Sequence, residues 1–102
     1  MNVIKKARLE EFWKTHAQAE APLLRWYEIT RKAAWKDFEH VRQYFPFADQ
    51  IRVASHRPVV VFNIGGNAYR LIAAIHYNTQ TVYVLRIFTN AEYDTGNWKK
   101  RL

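Results

Sequence analysis

From Ala7 onward the apolar positions recur with a helical period. Leu9, Phe12, Trp13 and His16 fall at i, i+3, i+4 and i+7, which is one face of a helix. Pro22 then sits where a first helical turn tolerates it, and Leu23, Trp26, Tyr27, Thr30 and Ala34 continue a second 3.6-residue pattern. Asp37 is placed to cap a third, shorter helix with Phe38, Val41 and Phe45 inward, and Pro46 ends it. Ahead of these, residues 1–5 are too short for a helix. With β-branched Val3 and Ile4 they read as an edge strand.

The second half changes period. Residues 51–54, 59–64, 68–77 and 81–89 are rich in β-branched and aromatic side chains and are separated by turn signals. Gly65-Gly66 is a two-residue hairpin signal and Asn78-Thr79-Gln80 a three-residue one. Helices first and an antiparallel meander second predict an α+β fold, with helices packed on one face of a small sheet and the other face free.

The turns also predict a register. With 78–80 as the loop, Tyr77 faces Thr81, Arg70 lies opposite Phe88, and Ile72 lies opposite Arg86. Alternation then puts Arg70, Ile72, Ala74, His76, Val82, Val84, Arg86 and Phe88 on one face. Tyr69, Leu71, Ala73, Ile75, Tyr77, Tyr83, Leu85 and Ile87 take the other, an uncharged face suited to the helices. The Gly65-Gly66 turn pairs Asn67 with Ile64 and Arg70 with Val61, which puts Asn63 on the arginine face and Phe62 in the core.

Charge sharpens this picture. The 102 residues are the material of one domain, 1–102, with 16 basic against 9 acidic side chains and a formal charge of +7. A small domain this basic is suited to a polyanion. Residues 1–49 carry nine basic and seven acidic groups, whereas residues 50–102 carry seven and two. Between 50 and 91 the only charged side chains are Arg52, Arg57, Arg70 and Arg86. Arginine presents a planar fork that holds a phosphate through two donors. The plainer alternative is that some of these four pair with acids of the helical half. The absence of cysteine excludes a disulfide scaffold and thiolate chemistry. No apolar run approaches a membrane span and no signal peptide is evident, so a soluble, cytoplasmic protein with no membrane partner is expected.

Few catalytic chemistries fit the remaining residues. His16, His40, His56 and His76 lie on four different elements without ligand spacing, so no metal or other cofactor is expected. Asn63-Ile64-Gly65-Gly66-Asn67 lacks the ending of a phosphate-binding loop and leads into a strand. Ser55, the only serine, carries no mark of a nucleophile. Arg, Tyr, Lys and Asn suit one reaction: RNA supplies its own 2′-hydroxyl nucleophile, so the protein need only align the linkage, stabilise charge and move protons. Arg70 and Arg86 would clamp the phosphate. Tyr93 would stack on a base or take part in proton transfer. Lys99, Lys100 and Arg101 would reach further phosphates, or simply form a solvated end.

The string Val61-Phe62-Asn63-Ile64-Gly65-Gly66-Asn67-Ala68-Tyr69-Arg70-Leu71-Ile72, followed by 82–89 and by Glu92-Tyr93-Asp94, resembles the HigB branch of the RelE/ParE-like toxins. Trp35-Lys36-Asp37-Phe38 and Tyr44-Phe45-Pro46 are similar to it as well, so the likeness spans nearly the whole chain. The resemblance implies the toxin of a type II toxin–antitoxin pair, a RelE-like α+β domain that cleaves translated messenger RNA in the A site of the ribosome without a metal. A helix-turn-helix, HigA-like antitoxin would neutralise it. It implies catalytic or RNA-binding roles for Arg70, Arg86 and Tyr93, while Asn63 and Asn67 match the string itself. Beside this, RNA contacts are expected from Asn63, Asn67, His56, Arg57, Lys99 and Lys100. Family members often carry a histidine where this chain has Asn90, which cannot exchange protons near neutral pH. Tyr93, or His56 folding in from its loop, would then serve as base. Two other readings stay open: a non-cleaving binding module, for example one directed at gyrase, and a catalytically impaired toxin remnant.

Overall fold

A computed structural model describes all 102 residues. The chain begins with an edge strand, β1 (Asn2–Ile4), and passes into α1 (Ala7–Thr15), a short 3₁₀ turn, α2 (Glu20–Lys32) and α3 (Phe38–Tyr44). Asp37 caps α3 by accepting a hydrogen bond from the His40 amide at 2.9 Å, as the sequence predicts. Pro22 lies in the first turn of α2. That helix ends earlier than its apolar pattern: it stops at Lys32, and Ala34 is exposed in an extended segment. The segment carries Trp35 into the core instead.

Four strands follow: β2 (Asp49–Arg52), β3 (Pro58–Ile64), β4 (Tyr69–His76) and β5 (Thr81–Thr89). The sheet order is β1-β5-β4-β3-β2, antiparallel except for β1, which runs parallel to β5. Beneath the helices lies the main core. Phe62 is fully buried, with its ring 5.1 Å from Phe45, 5.4 Å from Trp26 and 6.3 Å from Trp35. Leu9, Leu23, Val41, Leu71 and Ala73 close around this aromatic centre.

Both predicted hairpin registers need correction. Ile64 pairs with Tyr69 and Asn63 with Arg70, so the first loop spans four residues, 65–68, and the register is two residues from the predicted one. Gly65 and Gly66 both have left-handed backbones, φ +62° and +69°, but Asn67 and Ala68 also belong to the turn. A shift of two preserves the face, so Asn63 still shares a side with Arg70.

At the second hairpin His76, not Tyr77, pairs with Thr81, one step from the predicted register. A β-bulge then restores it. Ile72 faces Arg86 while Ala73 faces Val84, which leaves Leu85 as the extra residue. Arg70 opposite Phe88 and Ile72 opposite Arg86 are therefore as expected. The half of β5 before the bulge is inverted: Val82 and Val84 lie in the core under the helices, whereas Tyr83 and Leu85 belong to the other side.

That other side is not free. After β5 the chain forms α4 (Asn90–Asp94) and a 3₁₀ turn (Asn97–Arg101) that folds back across the sheet. Trp98 packs there on Val53, Val59, Val61 and Ile72, with Phe88, Tyr93 and Leu102 around them. As a result β3 is buried on both faces from Val59 to Phe62.

Candidate active site

Asn63 and Arg70 face each other at the tip of the β3–β4 hairpin. The Arg70 Nη1 donates to the carbonyls of Asn67 and Tyr69 at 3.2 and 3.3 Å, which fixes the guanidinium against its own hairpin. The Asn63 amide donates to the Asn67 side-chain oxygen at a long 3.5 Å. Exposed Phe47 shares an open cleft with Asn63, Gly66 and Asn67.

A further part of this cluster comes from α4. A capping box fixes the start of that helix, with Thr89 and Glu92 each bonding the other's backbone amide. The Asn90 amide donates to Ala68 at 3.0 Å and so ties α4 to the hairpin tip. Tyr93 is thereby set beside Arg70, whose guanidinium carbon lies 5.4 Å from the ring centre. Trp98 stacks on the same ring at 5.4 Å and donates its indole N–H to the Tyr93 carbonyl. Burial raises the Tyr93 pKa from its ordinary value, and the Asp49 and Asp94 carboxylates push the same way, with Arg70 opposing them. The shift favours the protonated phenol.

None of the arginines between residues 50 and 91 is held by a carboxylate. The ion pairs in the chain are those of Glu28 with Arg31 at 2.9 Å and Lys32 at 3.8 Å, both on α2. Arg70 and Arg86 stand one diagonal apart on neighbouring strands of the same face. Their guanidinium groups nonetheless occupy different surroundings. Arg86 bonds the Leu85 carbonyl at 2.7 Å and lines a groove with Phe88, Glu92, Trp98 and Arg101. No group of three His, Asp or Glu side chains is placed to hold a metal ion.

A carboxylate-free arginine stacked on a tyrosine, at the tip of an asparagine-lined hairpin, is the setting in which the family comparison is informative. Residues 19–96 match the HigB toxin family, described as the RelE-like toxic component of a toxin–antitoxin system. The chain belongs to the HigB toxin family. It is 27% identical to the mRNA interferase toxin HigB of Escherichia coli K12 over 94 residues, which are 92% of this chain and 88% of that protein. The mRNA interferase HigB of E. coli O6:H1 is 29% identical over 92% of this chain and 89% of its own length.

In this HigB-family chain the other expected contacts are dispersed. His56 and Arg57 lie in the β2–β3 turn, at the opposite end of β3 from Asn63, about 20 Å away by strand rise. His56 does not fold toward Arg70; its carbonyl accepts from Arg52 at 2.7 Å. Arg57 reaches Ser55 instead. The Lys99 carbonyl accepts from the Ala54 amide, so the basic segment runs toward that same far end, with Lys99 and Lys100 exposed. Three residues near the site went unnoticed in sequence. Trp98 carried a faint signal as a lone aromatic inside a basic run. Asp49 and Arg8 carried none, because only the assembled sheet brings them into reach.

Proposed function

We propose that this HigB-family toxin cleaves messenger RNA on the translating ribosome, with the 2′-hydroxyl of the RNA as nucleophile and no metal. The observation that carries this reading is the Arg70 guanidinium, held over Tyr93 and bonded to main-chain carbonyls without any carboxylate partner. Such a group keeps its full charge for the phosphorane-like transition state, where added negative charge is greatest. The relatives' designation as mRNA interferases supports the same chemistry.

In the proposed reaction the 2′-oxygen attacks the adjacent phosphorus and the bond to the 5′-oxygen breaks, leaving a 2′,3′-cyclic phosphate. Tyr93, kept protonated by burial, donates to the departing 5′-oxygen. Asn90 has no proton to exchange. Asp49, paired with Val61 on the face that carries Trp98, has a carboxylate field that reaches Tyr93 and is the acceptor this site offers to the 2′-hydroxyl proton. Asn63 and Asn67 offer amides to a base beside the cleaved linkage. A toxin–antitoxin system supplies an antitoxin, and we assign a helix-turn-helix, HigA-like protein to that role, acting in the cytoplasm. No helix is long and apolar enough to cross a membrane.

Expression without antitoxin tests the reading. Growth should stop, with messenger RNA cut inside coding regions and carrying 2′,3′-cyclic phosphate ends. Arrest with intact messenger RNA and broken DNA would favour a gyrase-directed module. Normal growth would favour an impaired remnant, the outcome that Asn90 invites.

A further inference from the structure

Leu85, the bulge residue, lies beyond the β1 pairing, which ends at Tyr83, and two arginines converge on its main-chain carbonyl. Arg8 Nη1, reaching from α1, donates to the Leu85 oxygen at 2.8 Å; Arg86 Nη1 donates to the same oxygen at 2.7 Å. The two nitrogens are therefore no farther apart than those two bonds laid end to end. Neither guanidinium has a carboxylate within ion-pair distance. Glu11 lines the same shallow groove, with Phe12, Thr15 and Ile87, but forms no ion pair with either arginine. A neutral carbonyl is a weak reason to hold two like charges side by side. Each fork has five N–H donors and commits one nitrogen here, so most of the donors remain for an anion.

We infer that Arg8 and Arg86 together grip one phosphodiester of RNA, next along the strand from the linkage held at Arg70. This rests on the ribonuclease reading above and extends it. Arg86 becomes a strand-positioning residue, and Arg8, which lies outside the segment matched to the family, becomes its partner. A diagonal neighbour in a sheet stands roughly 7–8 Å away, a separation of the order of one nucleotide step. The strand thus runs from the β3–β4 tip across the β5 edge toward α1.

The test uses the full chain and a 2′-O-methyl RNA tetranucleotide, which lacks the nucleophile and is not cut. Its affinity is measured against salt concentration. Arg8→Gln and Arg86→Gln should each weaken binding several-fold and reduce the log–log salt slope by about 0.7, the value for one phosphate contact on a single strand. Because both arginines hold the same phosphate, the double variant should lose little more than either single one. Arg8→Lys keeps the charge and protects against a folding artefact; it should retain the salt slope and lose part of the affinity. Lys14→Gln, on the same helix and outside the groove, is the charge-matched control.

A second arm measures co-sedimentation with ribosomes. A loss in the oligonucleotide arm assigns the phosphodiester to the cleaved strand. A loss confined to the ribosome arm places the anion on ribosomal RNA and overturns the assignment to the cleaved strand. Wild-type behaviour of Arg8→Gln in both arms overturns the proposal, as does failure of the wild-type chain to bind in either. Loss of antitoxin binding alone would move the groove to the protein partner and overturn it too. If binding depends on Arg8 while messenger RNA stays whole in cells, the cleavage reading fails and this site stands.

Discussion

Under the N-terminal helices the sheet presents Phe62, Leu71, Ala73, Val82 and Val84, all nearly free of solvent and sealed by Trp26 and Trp35. On the opposite face five residues are buried, and beside them stand Asn63, Arg70, Tyr93 and Arg86, none fully covered. One side is close-packed and uncharged. The other mixes a thin apolar patch with guanidinium groups that no acid neutralises. The contrast separates two tasks that share one sheet: burial of the first face supplies most of the folding free energy, while the second keeps polar groups exposed enough to meet a ligand. Damage to the first face should therefore abolish everything, and damage to the second should abolish activity alone.

Substitution can break this comparison at either face. The largest effect is expected at the aromatic centre. Phe62→Ala should cost about 3–5 kcal/mol, read from denaturant unfolding, and should remove activity only by unfolding the chain. Arg70→Ala should lower cleavage by about 10²–10³-fold and shift the unfolding midpoint little, since its bonds stay within one hairpin. Normal toxicity in that variant would take Arg70 out of the site. Tyr93→Phe should lower cleavage about 100-fold through the lost proton donor. In the wild type the alkaline fall in rate should lie above pH 10, because the folded phenol titrates above its ordinary value. The same sign holds for stability: the contribution of Tyr93 is complete below about pH 10 and declines as pH rises through the raised folded value. Smallest is Asp37→Ala, which should cost about 1 kcal/mol through the α3 cap, with Asp37→Asn nearly neutral and cleavage unchanged in both.

The helical half was legible because its signals are local. Spacing, Pro22, the Asp37 cap and Pro46 each act within a turn of helix, and only the early end of α2 escaped them. The sheet was legible at the end that matters for the site. Arg70, Asn63 and Arg86 share a face because a two-residue error leaves alternation intact. The far half of β5 was misread, since the bulge at Leu85 arises where a four-residue turn and the Arg86 register meet, and neither half alone reveals it. The cover over the second face was also hidden. Trp98 reaches Val53 and Ile72 only after α4 turns the chain back, a long-range contact with no periodic trace. Arg8 is the extreme case, seventy-seven positions from the carbonyl it bonds.

Leu85 is the one residue of β5 that the ladder could spare. Excising it would bring Val84 and Arg86 next to each other, still paired with the neighbours Ala73 and Ile72 and still pointing to opposite sides, inward and outward as before. Neither the His76 turn nor the capping box at Thr89 would have to move. What would vanish is the oxygen on which Arg8 and Arg86 meet. Chains one residue shorter at this point can therefore keep both faces while losing that meeting place.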